Sequence, residues 1–113
     1  LLRAAGYVTA HIGKWHLGGD TGFGRDWDHQ ISWERPEQRH RTDNSGYYEQ
    51  QRVSIDGSPP RLVDGYATDN YTRWACEFIA GRNRAPGRPW MLWLCYTAPH
   101  GPYVPAERHR GLY

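Results

Sequence analysis

Sulfur and lysine are scarce in this chain: two cysteines, one methionine and a single lysine stand among 113 residues. Cys76 and Cys95 show no Cys-x-x-Cys spacing, which removes the usual redox-motif and zinc-ribbon readings. Each lies inside an apolar pattern, where a free and buried thiol is expected. No apolar run approaches the roughly 20 residues that span a bilayer, so no transmembrane segment is expected. Nor does a basic stretch followed by an apolar one mark a signal peptide. Lysine being single, the positive charge rests on 13 arginines against 12 acids, a formal net charge of +2 spread along the chain. That small, dispersed excess excludes nucleic acid from the expected partners. His11, His16, His29, His40, His100 and His109 form no compact pair at zinc-motif spacing, so no metal ligand is expected within the chain.

What is present suffices for one core. Hydrophobic residues make up 38% of the chain and aromatics 14%, with six tryptophans, which excludes general disorder. Residues 1–6 read as the last turn of a helix stopped by Gly6, and both ends of the chain read as cuts. Next comes a β-prone run in which Val8, Ala10 and Ile12 share one face and Gly13 ends the pattern. Residues 18–66 are rich in Gly, Asp, Arg and Pro, with turn signals at Asn44-Ser45-Gly46, Asp56-Gly57 and Pro59-Pro60. They suggest a loop-rich excursion carrying short strands or hairpins, with residues 47–55 as one strand, and an excursion this long points to a substrate-facing role.

A helix follows, opened by Thr68 or Asp69 as the cap. Tyr71, Trp74, Ala75, Phe78 and Ile79 recur on one helical face, and Gly81 is placed to end it. After a basic connection, residues 90–96 form an unbroken apolar run of strand length. A strand apolar on both faces suits a parallel sheet covered by helices. The order of strand, excursion, helix and buried strand predicts an α/β fold, part of a mixed and mostly parallel sheet flanked by helices.

In open α/β sheets, ligands gather beyond the carboxyl ends of the strands. Both expected core strands end in polar clusters there. The first leads into Gly13-Lys14-Trp15-His16-Leu17-Gly18-Gly19; if the chain stays extended, Lys14 and His16 point the same way. The second leads into Thr97-Ala98-Pro99-His100-Gly101-Pro102, where flanking prolines make a stiff mount for one imidazole. A tetrahedral oxyanion needs charge-assisted donors, each worth roughly 1.5–3 kcal/mol, and a leaving alkoxide needs a proton from a tuned acid. Lys14, His16 and His100 are the candidates, although a solvated lysine and ordinary surface histidines fit the same spacing. Trp15 is expected to pack rather than bind ligand.

Across residues 6–18, Gly6-Tyr7-Val8-Thr9-Ala10-His11-Ile12-Gly13-Lys14-Trp15-His16-Leu17-Gly18 closely resembles the second signature of the sulfatases, in the alkaline phosphatase superfamily. Gly22-Phe23, Gly65-Tyr66-Ala67-Thr68-Asp69, Phe78-Ile79 and the run from Trp90 to Ala98-Pro99-His100-Gly101-Pro102 look like the family's order, while residues 25–60 match only loosely. The resemblance implies an alkaline phosphatase-like core and hydrolysis of sulfate esters to alcohol and inorganic sulfate. It implies a formylglycine nucleophile made within Cys/Ser-x-Pro-x-Arg, and a calcium ion on Asp and Asn or Gln ligands. Neither Cys76 nor Cys95 has that context, so both groups are expected on residues outside this chain, and the chain alone is expected to be inactive.

Carried over residue by residue, the resemblance implies that Lys14 binds sulfate oxygens, and that His16 hydrogen-bonds the formylglycine hydroxyl and helps regenerate the aldehyde. It implies that His100 contacts sulfate and protonates the leaving alcohol. The expected partner is a sulfate ester, with a sulfated carbohydrate as one class, and a periplasmic or secreted setting accords with the resemblance. Two other readings stay open: a phosphate or phosphonate ester hydrolase of the same superfamily, and a non-catalytic module binding sulfated glycans through its arginines and tryptophans. The Lys-Trp-His run favours sulfate.

Overall fold

The structure, a computed structural model, describes residues 1–33, 46–82, 84–101 and 103–112. His40, the Asn44-Ser45 part of one expected turn, and Pro102 lie outside these residues. Five strands and one α-helix follow in the order β1 (Val8–Lys14), β2 (His29–Trp33), β3 (Glu49–Ile55), β4 (Arg61–Tyr66), α1 (Ala67–Ile79) and β5 (Trp90–Cys95), before a 3₁₀ turn at Glu107–His109. The strands form one sheet in the order β4-β3-β2-β1-β5. β1 pairs in parallel with both β2 and β5, while β2–β3 and β3–β4 are antiparallel. This is the mixed α/β sheet that the sequence predicts, with its parallel strands β2, β1 and β5 side by side.

Two glycines stop helical turns as expected. Gly6 N–H donates to the Arg3 carbonyl and Tyr7 N–H to that of Leu2, while Gly81 and Arg82 donate in the same way to Phe78 and Glu77. Both glycines have positive φ, +88° each, the left-handed stop that saturates the last carbonyls of a helix.

The periodicity of the helix governs its burial. Tyr71, Trp74, Ala75 and Phe78 face the sheet and are buried. Ile12, Ile31, Trp33 and Val53 meet Tyr71 and Trp74 in one cluster, and Val8 and Ala10 meet Phe78 in a second. Ile12, Val53 and Phe78 are 0% exposed, and burial of each contributes about 1.5–3 kcal/mol.

Several expectations are corrected. Ile79 is 48% exposed, because it lies at the last turn, past the edge of the sheet-facing arc. The helix begins at Ala67 with Tyr66 as N-cap and no side-chain cap bond; Asp69 is instead held by Arg108 through a paired contact at 2.6 and 2.8 Å. Cys76 points off the apolar face and is exposed, and Cys95 is only partly buried; both thiols are free. β5 is not a fully buried strand: Trp90 and Trp93 remain 39% and 42% exposed and its other residues are half-buried, although Leu92 and Leu94 pack against the core beneath α1.

Residues 18–66 do contain short strands and a hairpin, but these complete the sheet rather than standing away from it. β2 is an inner strand, fully buried. Its sequence, His29-Gln30-Ile31-Ser32-Trp33, pairs part of its polar groups: Gln30 exchanges hydrogen bonds with Thr21 at 2.8 and 3.0 Å, and His29 Nδ1 meets Asp56 at 3.0 Å, while His29 Nε2 and Trp33 Nε1 are buried without a partner among the described residues. Buried polar groups cost little once so partnered.

Candidate active site

The end of β1 is built around a backbone crossing. Gly13 has φ +115°, and a Cβ there would lie 1.9 Å from the Cys95 carbonyl oxygen of neighbouring β5. Only glycine fits, and the fit brings the carboxyl ends of the two parallel strands together. Lys14 leaves one of these ends and residues 96–101 leave the other.

The loop after β5 is tied back on itself and to the approach of β3. His100 N–H donates to the Thr97 carbonyl at 3.0 Å, and the buried Thr97 hydroxyl donates to the Tyr47 carbonyl at 2.7 Å. Tyr48 donates its phenol to the carbonyl of His100. His100 Nδ1 lies 2.7 Å from the Gly101 carbonyl, which selects the tautomer with hydrogen on Nδ1 and leaves Nε2 as the free nitrogen. The Tyr47 ring stacks on His100 with centroids 4.7 Å apart, and the Lys14 ammonium lies 6.0 Å from that ring's centroid. Lys14 and His100, 86 positions apart in sequence, thus meet on one tyrosine.

His16 is placed differently. β1 stops at Lys14, so the strand alternation that would aim Lys14 and His16 alike does not extend to His16. His16 instead lines a cleft of about 470 Å³ together with Trp15, Gly18, Ser32, Trp33 and Ser54. The described contacts join Lys14 and His100 through Tyr47 and set His16 along this adjacent cleft.

Tyr47 escaped the sequence reading. A β-bulge at Gln50, with φ +50°, bends the entry into β3, the device by which bulges re-aim neighbouring side chains. The available signal was the Tyr-Tyr pair preceding a strand, which composition alone does not distinguish from core aromatics.

Behind the site, Trp15 packs as expected. Its indole, with those of Trp27 and Trp93, surrounds His11 at centroid distances of 5.1, 5.7 and 5.4 Å. His11 is 0% exposed and neither ring nitrogen has a hydrogen-bond partner among the described residues. Burial lowers its pKa to about 4, against a weaker opposing pull from the Lys14 backbone. Because the unfolded chain binds the proton more readily, stability is full above pH 6.5 and is lost as pH falls through the window down to about 4. The loss approaches about 3 kcal/mol at one pKa unit per 1.36 kcal/mol. Thermal melts of the full-length protein and of His11→Phe, compared from pH 7 to pH 4, check this: the wild type should lose melting temperature more steeply, and parallel curves would contradict it.

A mixed α/β sheet thus places an ammonium and a mounted imidazole beyond adjacent strand ends, an arrangement able to hold an oxyanion. Comparison with known proteins carries the classification further. The sulfatase family model matches residues 1–111, and the chain belongs to the sulfatase family. It is 36% identical to N-acetylglucosamine-6-O-sulfatase of Bacteroides thetaiotaomicron (strain ATCC 29148 / DSM 2079 / JCM 5827 / CCUG 10774 / NCTC 10582 / VPI-5482 / E50), covering 100% of this chain and 18% of that protein. It resembles the structure of BT4656 in complex with its substrate D-glucosamine-2-N,6-O-disulfate, with TM-score 0.75 and 34% identity over 98% of this chain and 20% of that one. Ps i-CgsB shares the fold at TM-score 0.72 and 20% identity, over 99% of this chain and 28% of that one. The chain therefore spans about a fifth of the length of the relatives it matches.

Proposed function

We propose that this chain contributes the oxyanion-binding and proton-donating part of an enzyme that hydrolyses sulfate esters, with a 6-O-sulfated amino sugar as substrate. The observation that carries this reading is the meeting of Lys14 and His100 at Tyr47, beyond the carboxyl ends of β1 and β5. The sugar is suggested by the relatives, one a sulfatase of N-acetylglucosamine and one bound to a sulfated glucosamine. The same relatives leave the phosphohydrolase and glycan-binding alternatives without support.

The family generally works with formylglycine and a divalent metal ion. Among the described residues no three His, Cys, Asp or Glu side chains gather into a metal site, and neither cysteine precedes x-Pro-x-Arg. The described residues do not fit the metal ion, and neither cysteine of the chain fits formylglycine. Their roles are those of their own side chains.

Lys14 places a fixed positive charge against the sulfate oxygens, where charge grows as the ester bond breaks. His100, with Nδ1 occupied by the Gly101 carbonyl, presents Nε2; as the imidazolium it carries a second proton there, which contacts sulfate and passes to the departing alcohol, leaving the neutral ring. His16, lining the adjacent cleft, takes a second hydrogen-bonding position toward the nucleophile, which this chain does not supply.

His100→Ala in the full-length enzyme tests the proton-donor role. Turnover of an alkyl sulfate, whose alcohol leaves poorly, is expected to fall by about 10²-fold or more. Turnover of a nitrophenyl sulfate, which needs no proton to leave, should fall far less. Equal losses on both esters would remove the assignment.

A further inference from the structure

We propose that Tyr47 is a positioning residue for His100, fixing the plane of the imidazole so that its free nitrogen faces the departing alcohol. The inference rests on the reading of His100 as proton donor. His100 itself is exposed, and a solvent-exposed histidine on a loop ordinarily samples several rotamers. Here two constraints act at once. The hydrogen bond from Nδ1 to the Gly101 carbonyl, 2.7 Å, fixes one edge of the ring, and the stack on Tyr47, at 4.7 Å and an interplanar angle of 28°, fixes its face.

Tyr47 can serve as that platform because it is itself held. Its carbonyl accepts from the Thr97 hydroxyl at 2.7 Å and from Gln51 Nε2 at 2.9 Å. Its ring abuts the 2%-exposed Trp33 edge-on, with centroids 4.9 Å apart. The next residue, Tyr48, is 3% exposed and donates to the carbonyl of His100, so the dipeptide grips the histidine through both ring and backbone. The Lys14 ammonium, 6.0 Å from the Tyr47 centroid, sits at the outer edge of cation–π range. One ring therefore sets the imidazole in a defined relation to the ammonium. No part of this requires the Tyr47 hydroxyl.

A ring that only filled space beside Trp33 would, on removal, lower all activities in proportion to the protein lost. A platform would act through His100 alone. In the full-length enzyme, Tyr47→Leu is expected to slow alkyl sulfate hydrolysis at least about tenfold while sparing nitrophenyl sulfate, and Tyr47→Phe should match the wild type on both. Added to His100→Ala, Tyr47→Leu should cause no further loss, since residues that act as a unit are not additive. Equal losses on both esters, or an additive double variant, would overturn the proposal.

A second measurement is independent of turnover. Diethyl pyrocarbonate should modify His100, followed by peptide mass mapping, faster in Tyr47→Leu than in the wild type or Tyr47→Phe. Unchanged rates would refute the stack even where activity changed. If instead His100→Ala affects both esters equally, the proton-donor reading fails, and the modification rates still decide whether Tyr47 holds the ring.

Discussion

Lys14→Ala in the full-length enzyme is expected to lower kcat by about 10²–10³-fold, the usual cost of deleting one preorganised donor from an oxyanion site. Lys14 is the only lysine of the chain and the last residue of a buried strand, so its position is set by the sheet rather than by a loop. Its ammonium lies near an aromatic face, and no ion pair joins it to a carboxylate among the described residues, so its charge is available to a ligand. Lys14→Arg should recover little, because a planar fork in place of a point charge changes both reach and geometry. Inorganic sulfate release, measured beside a melting curve, checks this; loss of activity should come without loss of melting temperature. Retention of more than about a tenth of wild-type kcat would show that charge at this position is dispensable.

The second large effect is on folding. Gly13→Ala should destabilise the protein by more than about 3 kcal/mol, since left-handed strain and backbone overlap add. The new methyl group would stand 1.9 Å from the Cys95 oxygen, 2.7 Å from its carbonyl carbon and 3.3 Å from its Cα. All three are backbone atoms of β5, which is hydrogen-bonded to β1 along its length and cannot step aside without breaking the parallel pair. Gly19→Ala is the matched control: nothing lies within 4 Å of its added carbon, and the change should stay within about 0.5 kcal/mol. Urea unfolding of both variants in the full-length protein separates the two, and a wild-type midpoint for Gly13→Ala would contradict the tight crossing.

The residues explain why some of this was legible in advance. β1 and α1 announce themselves because their apolar residues repeat with the period of the element, β5 because it is an unbroken apolar run of strand length, and Gly6 and Gly81 mark helix ends with a conformation that other residues avoid. β2 was not legible, because its polar Gln30 and Ser32 look like loop residues, and only the fold shows Gln30 paired with Thr21 inside the protein. Lys14, His16 and His100 were visible from motif and strand-end logic. Their mutual arrangement was not: it depends on Tyr47, delivered by a bulged strand from the least regular part of the chain. The burial of Cys76 was misjudged for a simpler reason. An apolar neighbourhood in sequence is divided by a helix between two faces, and Cys76 falls on the outer one.

Sulfate ester hydrolysis is tested most directly by product release by the full-length protein from N-acetylglucosamine-6-sulfate beside its 6-phosphate counterpart. Inorganic sulfate is expected from the first, abolished by Lys14→Ala, with little phosphate from the second. Preferential phosphate release, or binding of the sulfated sugar with no turnover in protein carrying its nucleophile and metal ion, would contradict it.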